Sequence, residues 1–328
     1  MHPVFRPLAF TCLLALSYAA QAQSKAGITH VPDTSFTTNS EYRKLKPKYP
    51  LLQIVEAPGN DSVRMRSNIT YCRRGKRKLR LDAFFPAHKG RGRAAILIFH
   101  GGGWRSGSRA QHHALAQRLA ALGYVCFTPE YRLSTEALYP AAIYDGKAAL
   151  RWVHAQARAY GIDTARIAVL GFSAGGELAA FLATTQGNGL YEGKGCAARY
   201  ASSVKALIDI DGTLSFVHPE SGEGDDSKRT SAATYWFGYS KKENYALWED
   251  ASPLKHVSPQ TPPTLFINSS VARMHAGRED FLQVLRAAGT YAQVQEFPDA
   301  PHAFPLFHPW FEPMVAHIDA FLKKVFSL

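Results

Sequence analysis

The chain is predicted to fold as a mostly parallel, eight-stranded β-sheet with helices on both faces and a small cap insertion. Three observations predict it. From residue 68 onward strand-like and helix-like stretches alternate, as repeated strand–helix–strand units require. The run Ala94-Ala95-Ile96-Leu97-Ile98-Phe99 is continuously apolar, the pattern of a strand buried on both faces. The sharpest motifs fall just after such runs, and in sheets of this kind chemistry collects at the carboxyl ends of the strands.

The first residues read as an export signal. Arg6 gives a positive start, residues 8–20 are apolar, and Ala20-Gln21-Ala22 supplies a small-x-small cleavage pattern. The apolar stretch is too short for a stable anchor, which needs roughly 20 residues. Cys12 lacks the small residue expected before a lipid-modified cysteine. The expectation is residues 1–22 removed near Ala22, with release to the periplasm or medium and no membrane anchor. Residues 23–66 are polar and aperiodic, an extended N-terminal arm, and residues 67–328 form the main domain.

Residues 69–72 and 79–85 read as edge strands joined by a basic turn at Gly75, and residues 94–99 as a buried strand. Leu115, Leu119 and Leu122 carry helical spacing up to Gly123, and a strand follows at 124–128. Pro140 suits the start of a helix running to about 159, since its missing N–H is not needed there. Strands at 166–170, 204–210, 264–268 and 292–297 then alternate with helices at 174–185, 276–288 and 311–326. Residues 213–263 are too long for an ordinary connection and read as the cap.

Charge and cysteines narrow the partners. The formal net charge is +12, with the densest run at Arg73-Arg74-Gly75-Lys76-Arg77-Lys78. Its place between two strands favours a solvated hairpin turn, and export argues against nucleic acid. Beyond Cys12 the cysteines are Cys72, Cys126 and Cys196. Cys126 reads as a small core residue. An oxidising compartment permits a Cys72–Cys196 bridge without requiring it. No Cys/His spacing suggests structural zinc, nothing indicates an organic cofactor, and oligomeric state is not encoded in any readable pattern.

Gly171-Phe172-Ser173-Ala174-Gly175 matches G-x-S-x-G between an apolar strand and an Ala/Leu-rich helix, the context in which a strained turn exposes a nucleophilic serine. His100-Gly101-Gly102-Gly103-Trp104 ends the strand at Phe99. The N–H groups of Gly102, Gly103 and Ala174 are candidates for an oxyanion hole. His302, in Pro301-His302-Ala303 after the last strand, is the candidate general base. His100, His154 and His308 are less well placed.

These motifs, with Glu130-Tyr131-Arg132-Leu133, Pro140-Ala141-Ala142 and Asp145, resemble α/β-hydrolase esterases of the hormone-sensitive-lipase type or the related acetyl- and feruloyl-esterase group. The resemblance covers about residues 94–326 and implies a serine carboxylic-ester hydrolase. It places the third triad residue near Ala272, where no carboxylate stands. Asp211, at the end of the strand 204–210, is favoured instead over Asp280, which lies inside a helix; Asp209 reads as structural. Trp104, Arg273 and His275 are candidate substrate contacts. Arg273, His275 and Arg278 suggest an anionic or heavily oxygenated substrate, such as a uronic-acid-containing plant polysaccharide fragment. The aromatics of the cap and of residues 304–311 could stack on sugars or pack the core. A calcium site at Glu223, Asp225 and Asp226 competes with a solvated loop. A serine peptidase, a lipase and a non-catalytic binding protein stand as alternatives.

Overall fold

The computed structural model describes residues 27–328 except Pro58 and Asn60. The export signal therefore lies outside the described residues. The elements follow in the order α1 (Thr38–Leu45), β1 (Gln53–Ile54), β2 (Val63–Arg74), β3 (Arg77–Pro86), β4 (Arg93–Phe99), α2 (His113–Ala121) and β5 (Val125–Pro129). Then come α3 (Ala141–Tyr160), β6 (Ile162–Phe172), α4 (Ala174–Thr184), α5 (Gly189–Glu192) and β7 (Ala206–Ile210). The cap carries α6 (Ala232–Phe237), α7 (Tyr245–Asp250) and α8 (Pro253–His256). The chain closes with β8 (Thr264–Asn268), α9 (Arg278–Ala287), β9 (Ala292–Glu296), β10 (Phe307–His308) and α10 (Phe311–Phe326).

Eight strands form one sheet in the order β2-β3-β5-β4-β6-β7-β8-β9. β2, β3 and β5 pair antiparallel, and every pair from β5–β4 to β8–β9 is parallel. After β4 the chain steps to β5 on one side, then returns to place β6 on the other. That reversal opens a crevice at the carboxyl ends of β4 and β6, the usual seat of a ligand in such sheets.

β4 shows why the apolar run was legible. Ala95, Leu97 and Phe99 join the core under α3 and α4, while Ala94, Ile96 and Ile98 join the core under α2 and α10. Alternate side chains point to opposite faces, and both faces are covered, so no polar position remains. Each fully buried Leu or Phe of this kind contributes about 2 kcal/mol.

The arm differs from its expected extended form. Residues 38–45 are helical, held by a capping box in which Thr37 Oγ1 accepts from Ser40 N and Ser40 Oγ from Thr37 N. None of α1's residues is buried, so no apolar period could reveal it. β1 pairs with β10 away from the main sheet. β2 begins at Val63, ahead of the boundary placed at residue 67, because the stretch Val63-Arg64-Met65-Arg66, exposed beyond Val63, pairs in register with Pro86 to Ala83 of β3.

The basic hairpin turns at Gly75, whose φ of +57° is open to glycine at little cost. It is less solvated than expected. Arg74 Nε lies 3.5 Å from buried Asp145, and Arg77 pairs with Glu130 and Glu136 at 2.8 and 2.7 Å. Cys72 and Cys196 form a disulfide with Cα atoms 5.3 Å apart, and Cys126 is buried and free. The bridge closes a sequence separation of 124 residues. Replacing both cysteines by serine is expected to lower unfolding free energy by about 2–5 kcal/mol; equilibrium guanidinium unfolding measures it.

Candidate active site

The site is built where β6 gives way to α4 with a single residue between. Ser173 occupies φ +56°, ψ −122°, a conformation that costs an ordinary side chain on the order of 1–3 kcal/mol. Its neighbours leave the space. A Cβ on Gly171 would stand 1.8 Å from the Gly175 carbonyl oxygen, and one on Gly175 would stand 2.2 Å from that of Phe99. Only glycine fits either position. Ser173 N–H donates to Ile210 O at 2.8 Å, which ties the turn to the end of β7.

His302 follows β9 in a loop pinned to β8. Phe297 N–H donates to Asn268 O at 2.8 Å, and Ser270 bonds Ala300 O through both its N–H (3.0 Å) and its hydroxyl (2.7 Å). The imidazole packs against the Phe172 ring, centroids 5.0 Å apart. Its Nε2 stands 2.9 Å from Ser173 Oγ and its Nδ1 3.0 Å from Asp211 Oδ2. The carboxylate can only accept, so Nδ1 carries the proton and Nε2 is free to accept the serine's.

Asp211 is fully buried just beyond β7. Its Oδ1 accepts from Ser269 N–H at 2.8 Å and from Asn268 Nδ2 at 3.4 Å. Three N–H donors from two loops thus converge on it and fix its orientation. Asp280 sits in the first turn of α9, largely exposed, with His218 Nε2 3.3 Å away. The structure brings Ser173, His302 and Asp211 together and leaves Asp280 apart.

Gly102 and Gly103 have φ of +121° and +59°. Their N–H groups and that of Ala174 have no acceptor among the described residues. A Cβ on Gly102 would approach Ser106 O to 2.3 Å, and one on Gly103 would approach Ala232 Cβ of α6 to 2.9 Å. The loop is braced by Tyr131, whose hydroxyl donates to His100 O at 2.8 Å and whose ring stacks on the imidazole at 4.4 Å. Burial lowers the His100 pKa to about 4, which makes that ring a poor proton acceptor, and its Nδ1 already faces Gly101 O at 2.8 Å. Arg132 forks onto Asp145 with bonds of 2.7 and 2.8 Å, locking the loop after β5 to α3. The motif residues 130–133 and Asp145 therefore act as scaffold.

Two of the expected substrate contacts change character, and so does a third. Trp104 is 3% exposed, stacked on Trp236 with centroids 4.9 Å apart, and its indole N–H is spent on Glu177 at 2.8 Å. It packs the wall behind the loop and offers no face to a substrate. Arg273 is paired with Glu223 at 2.8 Å, because the acidic stretch of the cap folds back over it. His275 donates to Ser269 O at 2.9 Å, and Arg278 is held by Glu296 and Asn268. Each of these three side chains already has a partner within the fold. The cap aromatics Phe216, Trp236, Phe237 and Trp248 are buried against one another, as are Phe304, Phe307 and Phe311 within the opposite core. They pack and do not form a sugar platform. In the acidic stretch, Asp226 caps α6 through Ser231 and Thr234. Among the described residues no group of three or more His, Cys, Asp or Glu could hold a metal ion.

Sequence reading missed Glu177. It follows the serine by one helical turn on an Ala-rich helix and is wholly buried, and burial raises its pKa well above the carboxylate range. Asp209 is also buried, and desolvation with the nearby Asp211 charge raises its pKa to about 8. Its Oδ1 accepts from Gly212 N–H at 2.8 Å, which shapes the turn into Asp211.

The family profile named BD-FAE matches residues 81–273, more than half of the chain. Esterase LipC of Mycobacterium tuberculosis is 31% identical over 247 residues, 71% of this chain and 59% of LipC. Esterase LipQ of the same organism is 28% identical over 273 residues, 80% of this chain and 62% of LipQ. The chain thus spans about three-fifths of these relatives' length. Among solved structures, a truncated carbohydrate esterase from gut microbiota superposes with a TM-score of 0.67 at 24% identity, covering 82% of this chain and all of that one. Thermogutta terrifontis esterase 2 phosphonylated by sarin gives 0.66 at 25% identity, covering 84% and 97%. The fold is that of the α/β-hydrolases.

Two outcomes test the site. Asp211→Asn should keep the fold yet lower kcat by about 10³–10⁴-fold, since the amide favours the wrong imidazole tautomer; near-normal turnover would remove Asp211 from the site. The Asp209 carboxyl ionises near 3.8 when unfolded and near 8 when folded, so the folded state keeps the proton through that window. Stability therefore falls as pH rises across it. Asp209→Asn should match wild type at pH 4 and melt at least about 2 °C higher at pH 9 in a thermal scan.

Proposed function

This chain belongs to the BD-FAE family, and from that premise we propose that it is a serine carboxylic-ester hydrolase. The observation that carries the proposal is the hydrogen-bonded line from Asp211 through His302 to Ser173, with bonds of 3.0 and 2.9 Å. In this reading His302 takes the Ser173 proton as Oγ attacks the ester carbonyl, and Asp211 stabilises the resulting imidazolium. The N–H groups of Gly102, Gly103 and Ala174, the last at the head of α4, receive the oxyanion. Collapse expels the alcohol, protonated by His302, and water repeats the cycle to free the acid.

The substrate reading is a short acyl ester, acetyl above all, carried on a plant cell-wall polysaccharide or a small alcohol. α6 packs close to the glycine loop, where a Cβ on Gly103 would stand 2.9 Å from Ala232 Cβ. The carbohydrate esterase of like fold is consistent with it. Export is part of the proposal. Arg6, the apolar residues 8–20 and Ala20-Gln21-Ala22 support it, and the Cys72–Cys196 disulfide suits an oxidising compartment.

A fluorophosphonate probe should label the wild type and not Ser173→Ala. The enzyme should cleave p-nitrophenyl acetate and release acetate from acetylated xylan or pectin. Activity restricted to long-chain esters would overturn the substrate reading, and absence of labelling would overturn the esterase itself.

A further inference from the structure

Cations without carboxylate partners collect at the end of the sheet away from Ser173. β4 begins there at Arg93, α3 ends there at Tyr160, and β6 begins there at Ile162. β6 runs 11 residues from that end to the nucleophile. At about 3.3 Å per residue the two ends lie roughly 30 Å apart. A cleft of about 520 Å³ opens at this distal end, within the ~300–1,000 Å³ typical of ligand sites.

Arg64, Arg66, Lys89, Arg91, Arg93 and Arg158 line it, and no aspartate or glutamate does. None of the six forms a salt bridge among the described residues, in contrast to Arg74, Arg77, Arg109 and Arg132 near the other end. Six fixed charges in one cleft amount to half of the formal excess of +12. Like charges gathered without counter-ions raise the local potential and favour an anion there.

The cleft has a defined shape. Arg93 N–H donates to Gly161 O at 3.0 Å, and its guanidinium donates to His88 O at 2.6 Å. A Cβ on Gly161 would meet Gly90 O at 2.2 Å, so the loop closes only because a glycine stands there. The Arg66 guanidinium lies over Phe85 and Tyr160, 5.6 and 5.9 Å from their centroids. Pro86, Ala87 and Ala159 add apolar lining.

We propose that this cleft is a second, non-catalytic binding site for a carboxylated polysaccharide, such as a uronic-acid chain. Guanidinium forks match the two oxygens of a carboxylate. Ala87, Ala159 and the half-buried Phe85 and Tyr160 give the cleft apolar surface for the C–H faces of pyranose rings, which a bare inorganic anion would not use. The disulfide, suited to an oxidising compartment, disfavours nucleic acid as the ligand. The inference rests on the carbohydrate part of the proposed function and is independent of the serine chemistry. It moves the reception of anions from Arg273, already paired, to the opposite end of the sheet.

Binding of polygalacturonate oligomers by calorimetry tests it. Wild type and Ser173→Ala should bind alike, with affinity that falls steeply as salt rises. Combining Arg64→Ala, Arg66→Ala and Arg158→Ala should weaken binding at least about tenfold, the loss of 1.4 kcal/mol or more. That variant should keep wild-type melting temperature and p-nitrophenyl acetate turnover. Unweakened binding by the triple variant, equal binding of neutral dextran, or tighter binding of a DNA duplex would overturn the proposal. A wild type inactive on every ester would sink the esterase reading and leave this binding result intact.

Discussion

Between the last residue of β6 and the first of α4 there is room for one amino acid, and that amino acid is Ser173. The chain must reverse there with φ at +56°, and it does so because carbonyls of Gly175 and Phe99 approach where side chains at 171 and 175 would otherwise stand. The rest of the centre depends on this turn. It lifts Oγ above the sheet, aims the head of α4 at it, and ties the serine N–H to the end of β7, where Asp211 begins. The strain is held by the cores on both faces of the sheet, which leave the turn no lower-energy way to relax.

Three carboxyl groups lie buried behind Ser173, and burial treats them differently. Asp211 meets N–H donors from Ser269, Asn268 and His302 and can serve as the anion. Asp209 has one backbone donor and the Asp211 charge nearby, so it holds its proton to about pH 8. Glu177 has only the Trp104 indole, and desolvation favours its neutral form. Desolvation and the nearby Asp211 charge favour the neutral form of Asp209, and desolvation that of Glu177, an arrangement in which environment assigns different roles to chemically similar groups.

Charge is partitioned along the strands. Near the carboxyl ends the cations are engaged, Arg132 with Asp145, Arg273 with Glu223 and Arg278 with Glu296. Near the amino ends of β4 and β6 they line an open cleft with no acid. Pairing near the carboxyl ends serves loop geometry, and the unpaired surplus stands at the amino ends, where like charges raise the local potential.

How much was legible follows from how local each signal is. The sequence by itself determined the sheet and its helices, because a strand covered on both faces must be apolar throughout and helices show their own period. It determined Ser173, Gly102 and Gly103, because backbone strain and close approach demand particular residues at fixed spacing. His302 was readable from its place after the last strand, and Asp211 from standing at a strand end while position 272 lacked an acid. Helix α1 was not readable, since nothing in it is buried. Glu177 on its apolar helix, the burial of Trp104 and the pairing of Arg273 were decided only by tertiary structure. Which carboxylate is desolvated, and which cation finds an acid, depends on segments tens of residues apart, as with Glu223 and Arg273 or Trp104 and Glu177. The same physics separates the basic hairpin, conspicuous in sequence yet partly neutralised, from the distal cleft, whose cations come from β2, the start of β4 and the loop before it, and the end of α3, and meet only in the fold.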